Sequence, residues 1–171
     1  GSNVITIANL PSSGSSNNHF GEWLGSIDGY VWLDGNDNGQ RESGESGIAD
    51  VRVNLTGIGA NGAPVSRTAN TNASGYYRFD DLPASDANGY TVTEQIAQPI
   101  APGTTKSTVN GQTVAGTIDG KTTGLGTAIS TLPSAVTGIV LPAGSTSVNN
   151  NFGEIANSVP DLVVNKSISK A

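Results

Sequence analysis

Residues 29–57 read GYVWLDGNDNGQRESGESGIADVRVNLTG, and the pattern within them changes twice. The last eight, Asp50 to Gly57, alternate without a break: Val51, Val53 and Leu55 fall on one face, Arg52, Asn54 and Thr56 on the other. A period of two marks a strand with one buried face, because successive side chains point to opposite sides of the pleat. The opening GYVWL is also strand-like, with Tyr, Val and Trp in succession. Between them lies DGNDNGQRESGE, Asp34 to Glu45, which puts four carboxylates and two Asn into twelve positions. The unit is strand, acidic loop, strand.

The loop fits a metal-binding spacing. A twelve-residue calcium loop needs oxygens at positions 1, 3, 5, 9 and 12, a backbone carbonyl at 7 and Gly at 6. Asp34, Asn36, Asn38, Gly39, Gln40, Glu42 and Glu45 fall on 1, 3, 5, 6, 7, 9 and 12. Calcium takes six to eight hard oxygen ligands, and this spacing wraps the chain once around an ion. Gly39 permits the sharp turn that a Cβ resists. Asp34, Asp37, Glu42 and Glu45 against Arg41 leave the loop at −3, a repulsion that a divalent cation relieves. Magnesium suits it less, since it prefers octahedral sites that keep several waters. Asp, Asn and Gly also favour plain solvated turns, but turn preference alone does not fill every ligand position. With strands on both sides, the helix-opening calcium switch does not apply, and the expected ion is structural.

The rest of the chain agrees with an all-β reading. It has 171 residues, 23 Gly, 35% hydrophobic and only 13% charged positions, a balance that favours short strands and many turns over long helices. Net charge is −6 with Lys and Arg totalling 8, which argues against a nucleic-acid partner. No run of about 18 apolar residues suggests membrane insertion, and there is no basic-then-apolar leader. Cys and Met are both absent, which excludes thiol and disulfide chemistry and suits an exposed extracellular setting.

A repeat divides the chain. ITIANLPSSGSSNNHFGEW near the start and GIVLPAGSTSVNNNFGEIA near the end both run through a Gly/Ser turn into Asn-Asn and then Phe-Gly-Glu. Phe20 and Phe152 stand 132 positions apart (152 minus 20). On this reading residues 1–22 carry the last strands of a preceding module, with Gly1-Ser2 a candidate tag remnant. Residues 23–155 are then one complete module, and 156–171 lead into a following strand-rich one. The alternative is two similar edge strands within one domain. Further strands are expected at GYYRFDDL, GYTVTEQI, AVTGIVLP and SVNNNFGEI. Asn110-Gly111 and Asp119-Gly120 suggest type I′ hairpins in the Gly/Thr-rich region between Ala97 and Pro133. No segment forms an amphipathic helix, and the expected fold is an antiparallel β-sandwich.

With TANTNASGYYRFDDLPA, GYTVTE and the Asn-Phe-Gly-Glu ending added to the opening stretch, the sequence resembles an SdrD B-like domain. These are calcium-binding B-repeats of bacterial surface adhesins, related to the collagen-adhesin B-type (Cna-B) fold. The resemblance implies a prealbumin-like β-sandwich repeated in tandem as a stalk. It implies calcium on Asp34, Asn36, Asn38, the Gln40 carbonyl and Glu45, with Glu42 acting through water. It also implies further ions, for which Asp28, Asp80, Asp81 and Asp119 are the acidic residues to watch. PDLVVNKSISKA is similar to the opening of another bacterial surface repeat. Cna-B relatives often carry an isopeptide crosslink, and Glu94 resembles its assisting acid. However, the first Lys is Lys106, and Trp32 falls roughly where the acceptor would sit, so no crosslink is expected.

Catalysis is not expected. The single His, His19, has no Gly-x-Ser-x-Gly context around it. Asp80 and Asp81, as strand neighbours, would point to opposite faces. The expected function is therefore a calcium-stabilised spacer in a large cell-surface or secreted bacterial adhesin, monomeric and flanked by neighbouring repeats. Because the loop follows Glu22 by twelve residues, it is expected to stiffen the joint before the module. The alternative is an adhesin module that binds an extracellular protein or a glycan. Trp32 reads as core and Trp23 as a boundary residue; an exposed aromatic patch would favour the binder.

Overall fold

The alternation of Val51, Val53 and Leu55 is realised in the computed structural model, which describes residues 4, 6, 23–95, 108–129 and 131–157. All three are buried while Arg52 and Thr56 are exposed. The chain forms twelve strands: β1 Gly25–Leu33, β2 Arg52–Ile58, β3 Pro64–Asn70, β4 Tyr76–Leu82, β5 Tyr90–Glu94, β6 Thr108–Val114, β7 Thr117–Ile118, β8 Lys121–Thr122, β9 Leu125–Gly126, β10 Ala135–Ile139, β11 Thr146–Ser147 and β12 Asn151–Ala156. There is no helix among the described residues. One sheet places β4 and β11/β12 on either side of β1, with β6 beyond β12; the other has the order β3-β2-β5-β10-β9. Strands β7 and β8 form a small separate ribbon.

The two sheets enclose one core. Ile27, Val31, Tyr77, Phe79 and Phe152 come from the first sheet, and Val53, Leu55, Tyr90, Val92, Val136 and Ile139 from the second. Burying each such side chain contributes about 1.5–3 kcal/mol relative to leaving it exposed, against the entropy of ordering the chain. Along β1 the odd positions Ile27 and Val31 face this core, whereas Ser26, Asp28, Tyr30 and Trp32 face outward. Trp32 is buried as the sequence expectation has it, but it stands outside the main hydrophobic cluster. It lies beneath the acidic loop on the outer face.

Most pairings are antiparallel, with one exception that sets the layout of the module. β1 runs parallel to β11 at Ser26 and Ile27, and parallel to β12 from Val31 to Leu33. The gap between β11 and β12 is filled by Asn150, which is fully buried. Its amide nitrogen donates to the Asp28 carbonyl at 3.1 Å and to Ser147 Oγ at 3.0 Å, and its Oδ1 accepts the Gly116 N–H at 3.1 Å. Asn149 before it adopts φ 62°, a left-handed conformation that Asn tolerates better than most residues. The stretch Asn149 to Glu154 thus forms an interrupted strand: a left-handed Asn, an amide that satisfies buried backbone, then Phe152 into the core.

Parallel pairing also separates the two ends. The chain comes in at the leading end of β1, beside the Pro142–Ser145 turn, where Gly144 N–H donates to the Trp23 carbonyl at 3.1 Å. β12 leaves at the trailing end, where Glu154 is level with Leu33. The acidic loop follows Leu33 and so lies at the trailing end. The expectation that it stiffens the joint before the module is corrected by this topology: all nine residues of β1 intervene.

Of the two expected Asx-Gly turns, one forms. Asp119 (φ 49°) and Gly120 (φ 75°) form the turn of the β7–β8 ribbon, both with positive φ as type I′ requires. Asn110-Gly111 is not a turn but mid-strand in β6. Gly111 is there for close approach: an added Cβ would lie 2.8 Å from Asp37 Oδ1 and 3.0 Å from the Gly153 carbonyl oxygen. Asp80 and Asp81 do not alternate either, because Asp81 adopts φ 54° and both are exposed.

Candidate metal centre

The acidic loop leaves β1 at Asp34, whose N–H donates to the Glu154 carbonyl at 2.8 Å. Asp34 is fully buried, and its two carboxylate oxygens accept the N–H groups of Asn38 (3.1 Å) and Gly39 (2.7 Å). The chain curls around that carboxylate, which needs Gly39 at φ 71°. Asn36 Oδ1 accepts the Asn38 N–H at 3.2 Å, and Asn38 Oδ1 accepts the Gln40 N–H at 2.7 Å. Both Asn amides donate to Glu42, at 2.8 Å from Asn36 and 3.0 Å from Asn38. Glu45 closes the loop: Oε1 accepts the Gly35 N–H, and Oε2 accepts the Glu42 N–H and the Trp32 indole N–H, each at 3.0 Å.

Five of the six expected ligands, Asp34, Asn36, Asn38, Glu42 and Glu45, therefore belong to one hydrogen-bonded network. Gln40 joins it through its backbone N–H. The donor set is three carboxylates and two amide oxygens, all hard oxygen donors of the kind calcium takes. Among the described residues no three acidic or histidine side chains stand together as a cluster able to hold an ion by themselves. An ion here would need the amide and carbonyl oxygens as well as the carboxylates.

The loop also lies back over the outer face of the first sheet. Arg41 donates to the Ser74 carbonyl at 3.0 Å and sits over the Tyr30 ring, 4.6 Å from its centroid. Tyr30 in turn packs on Tyr76 at 5.2 Å. A cation over an aromatic face at this distance is attractive, so loop order and burial of the aromatic face are coupled.

Two features escaped the spacing argument. Asp37 occupies no ligand position, yet its Oδ1 is buried with no hydrogen-bond partner; its signal is the Gly at position 111, which leaves it room. Glu94 and Glu154 face each other across the sandwich, on β5 and β12, at the trailing end of the core. Both are buried, and Glu94 Oε2 and both Glu154 oxygens have no partner. Burial pushes the Glu94 carboxyl well up, and the neighbouring Glu154 adds to it; burial also raises Glu154. Nothing in the local sequence marks two glutamates 60 positions apart (154 minus 94) as neighbours.

The other watched carboxylates are used structurally. Asp28 and Asp80 both pair with Arg78, at 3.2 and 2.6 Å, and Asp119 serves the β7–β8 turn. The inward position level with Glu154 is held by Leu33, not Trp32. His19, Lys106 and the Phe20-Gly21-Glu22 motif lie outside the described residues.

The chain is thus a two-sheet β-module whose first strand runs into an oxygen-rich loop tied to its last strand. The model of the SdrD B-like domain family matches residues 25–144, more than half of the chain, and the chain belongs to that family. It is similar to serine-aspartate repeat-containing protein E of Staphylococcus aureus, 42% identical over 57 residues, which are 33% of this chain and 5% of that protein. It is also similar to serine-aspartate repeat-containing protein I of Staphylococcus saprophyticus, 41% over 61 residues (36% and 3%), and to the bone sialoprotein-binding protein of Staphylococcus aureus, 38% over 95 residues (52% and 8%). The chain spans less than a tenth of each of these relatives. Among solved structures the major plantain pollen allergen Pla l 1 aligns at a TM-score of 0.42 with 11% identity, covering 79% of this chain and 95% of that one; this is too low to carry a structural conclusion.

Proposed function

We propose that this chain is a calcium-stabilised spacer module of a bacterial cell-surface adhesin, acting through stiffness rather than catalysis. The observation that carries the reading is the acidic loop itself, in which Asp34, Asn36, Asn38, Glu42 and Glu45 form one network joined to β12 through Asp34 and to β1 through Trp32. Calcium would be held by those five side chains and the Gln40 carbonyl, and would supply positive charge to a loop of net −3. Within that charge the Asp34 carboxylate is buried and Asp37 Oδ1 has no hydrogen-bond partner, which favours a cation further. Membership of the SdrD B-like family and similarity to serine-aspartate repeat proteins support a repeated surface module in an extracellular setting.

The rival reading, a ligand-binding module, draws no comparable support. Tyr77, Tyr90 and Trp32 are buried, and Tyr30 and Tyr76 are half-buried against each other. Among the described residues the exposed aromatic is Trp23.

Thermal unfolding in millimolar calcium, in equal magnesium and in excess chelator tests the proposal. An ion that binds only the folded state stabilises it by about 2.7 kcal/mol at one hundred times its Kd. A clear rise in Tm with calcium alone is expected. Identical curves in all three conditions would reduce the loop to a solvated turn and return the ligand-binding reading to first place.

A further inference from the structure

We propose that the leading end of this module is a docking surface for the trailing end of a preceding copy of the same module, so that consecutive copies abut without a linker. The inference rests on the repeated-spacer reading above, and it adds which surfaces meet and which residues hold them.

Three observations carry it. First, β1 and β12 are parallel, so the chain passes through the module from one end to the other. Successive copies then meet trailing end to leading end. Second, the repeat leaves no room for a linker. Asn17-Asn18-His19-Phe20-Gly21-Glu22 matches Asn149-Asn150-Asn151-Phe152-Gly153-Glu154. Carried forward, Trp23 and Leu24 correspond to Ile155 and Ala156, the last two residues of β12. The next residue, Gly25, already begins β1. One copy's final strand therefore runs directly into the next copy's first.

Third, the apolar side chains left uncovered gather at these two ends. Trp23 (78% exposed), Leu24, Ile58 and Val140 lie at the leading end, and Val109, Ile129 and Leu132 at the trailing end. Leu125, on the outer strand β9, and Val4 are the exceptions among the described residues. Exposed apolar residues scattered singly need no explanation, but ones grouped at an end mark an interaction site. Trp23 is held in place by the fold: its carbonyl accepts the Gly144 N–H, and its ring covers Gly144 so closely that an added Cβ would lie 3.2 Å from Cε3. A large rigid aromatic fixed at low entropic cost is the residue type that anchors interfaces.

The test uses the full chain and a doubled chain in which one period, residues 23–154, is inserted after Glu154. Each copy has two Trp, Trp23 exposed and Trp32 buried. In calcium, the acrylamide-quenchable fraction of indole fluorescence is expected to be about one half for the single chain, one exposed Trp of two. It is expected to fall to one quarter in the doubled chain, because the second copy's Trp23 is covered. Small-angle scattering of the doubled chain is expected to give a single elongated shape. Trp23→Ser in the second copy is expected to broaden it to a flexible pair while both copies stay folded, since this side chain lies outside the core. A quenchable fraction that stays at one half, or a Trp23→Ser profile identical to the parent's, overturns the inference. Calcium-dependent melting of the single chain is measured alongside: if it persists while docking fails, the spacer reading stands and only the joint is wrong.

Discussion

The backbone N–H of Asp34 donates to the Glu154 carbonyl at 2.8 Å, and the Asp34 carboxylate packs against Gly153 next to it. The first residue of the acidic loop is thereby fixed to the last strand, 120 positions later (154 minus 34), and loop order and strand order depend on each other. A Cβ at Gly153 would lie 2.9 Å from Asp34 Oδ2 and 3.3 Å from the Gln112 carbonyl. Gly153→Ala is therefore expected to displace the Asp34 carboxylate, at a cost of about 1–3 kcal/mol typical of overpacking. Measured by thermal unfolding, the loss should be larger in calcium than in chelator. An equal loss in both would mean that the strand alone is strained and the loop is unaffected.

Glu45 accepts three N–H groups, from Gly35, Glu42 and Trp32. Glu45→Gln keeps the shape but turns one acceptor oxygen into a donor facing donors, leaving a pairing worth about 1–3 kcal/mol unmade. Weaker calcium affinity and a smaller calcium-dependent rise in Tm are expected. Trp32 provides an independent readout, because the loop covers it: its emission should shift to the red in the variant, and in the parent on adding chelator. A parent emission spectrum unchanged by chelator would show that the loop stays closed without metal.

Much of this arrangement is legible in the sequence, for reasons that particular residues make plain. Val51, Val53 and Leu55 alternate because β2 buries a single face. The loop spacing is readable because a twelve-residue wrap is a local property of Asp34 to Glu45. Trp32 reads as buried and is, but composition cannot say which face of a two-sided strand is covered by the main cluster and which by a loop. The place of the loop at the trailing end depends on β1 pairing parallel to β12, a contact between distant segments that no local pattern encodes. Asn110-Gly111 has the chemistry of a turn, but close packing of Asp37 and Gly153 makes use of the same glycine within a strand.

Asn150 is the clearest single determinant of the interrupted last strand. Its side chain donates to Asp28 and Ser147 and accepts from Gly116, all in a buried setting. Asn150→Ala leaves the Gly116 N–H without its partner, at about 1–3 kcal/mol for a buried unsatisfied group, in addition to the lost bonds. A fall in the urea midpoint of that order is expected, with the slope unchanged and the same loss in calcium and in chelator. A loss confined to calcium conditions would mean that Asn150 acts through the loop rather than through the gap between β11 and β12.

The Glu94–Glu154 pair predicts how stability depends on pH. Both carboxyls are raised in the folded state, first by burial, from an ordinary value of 4.5. Around them are the neutral groups of Thr108 and Ser134, while the ion pairs among the described residues are those of Arg78 with Asp28 and Asp80. A raised folded pKa means that the native state holds a proton the unfolded chain has released. The contribution is fully present below about 4.5 and is lost as pH rises through the raised folded value, at up to about 1.4 kcal/mol per pH unit for one proton. Glu154→Gln removes one of the two titrating carboxyls and the charge that adds to the Glu94 shift, while burial still raises Glu94. Urea midpoints measured in chelator from pH 4.5 upward should therefore fall less steeply for Glu154→Gln than for the parent, and the two curves should converge or cross at higher pH. Parallel curves would show that the two carboxyls titrate as ordinary solvated groups and that the trailing end of the core admits water.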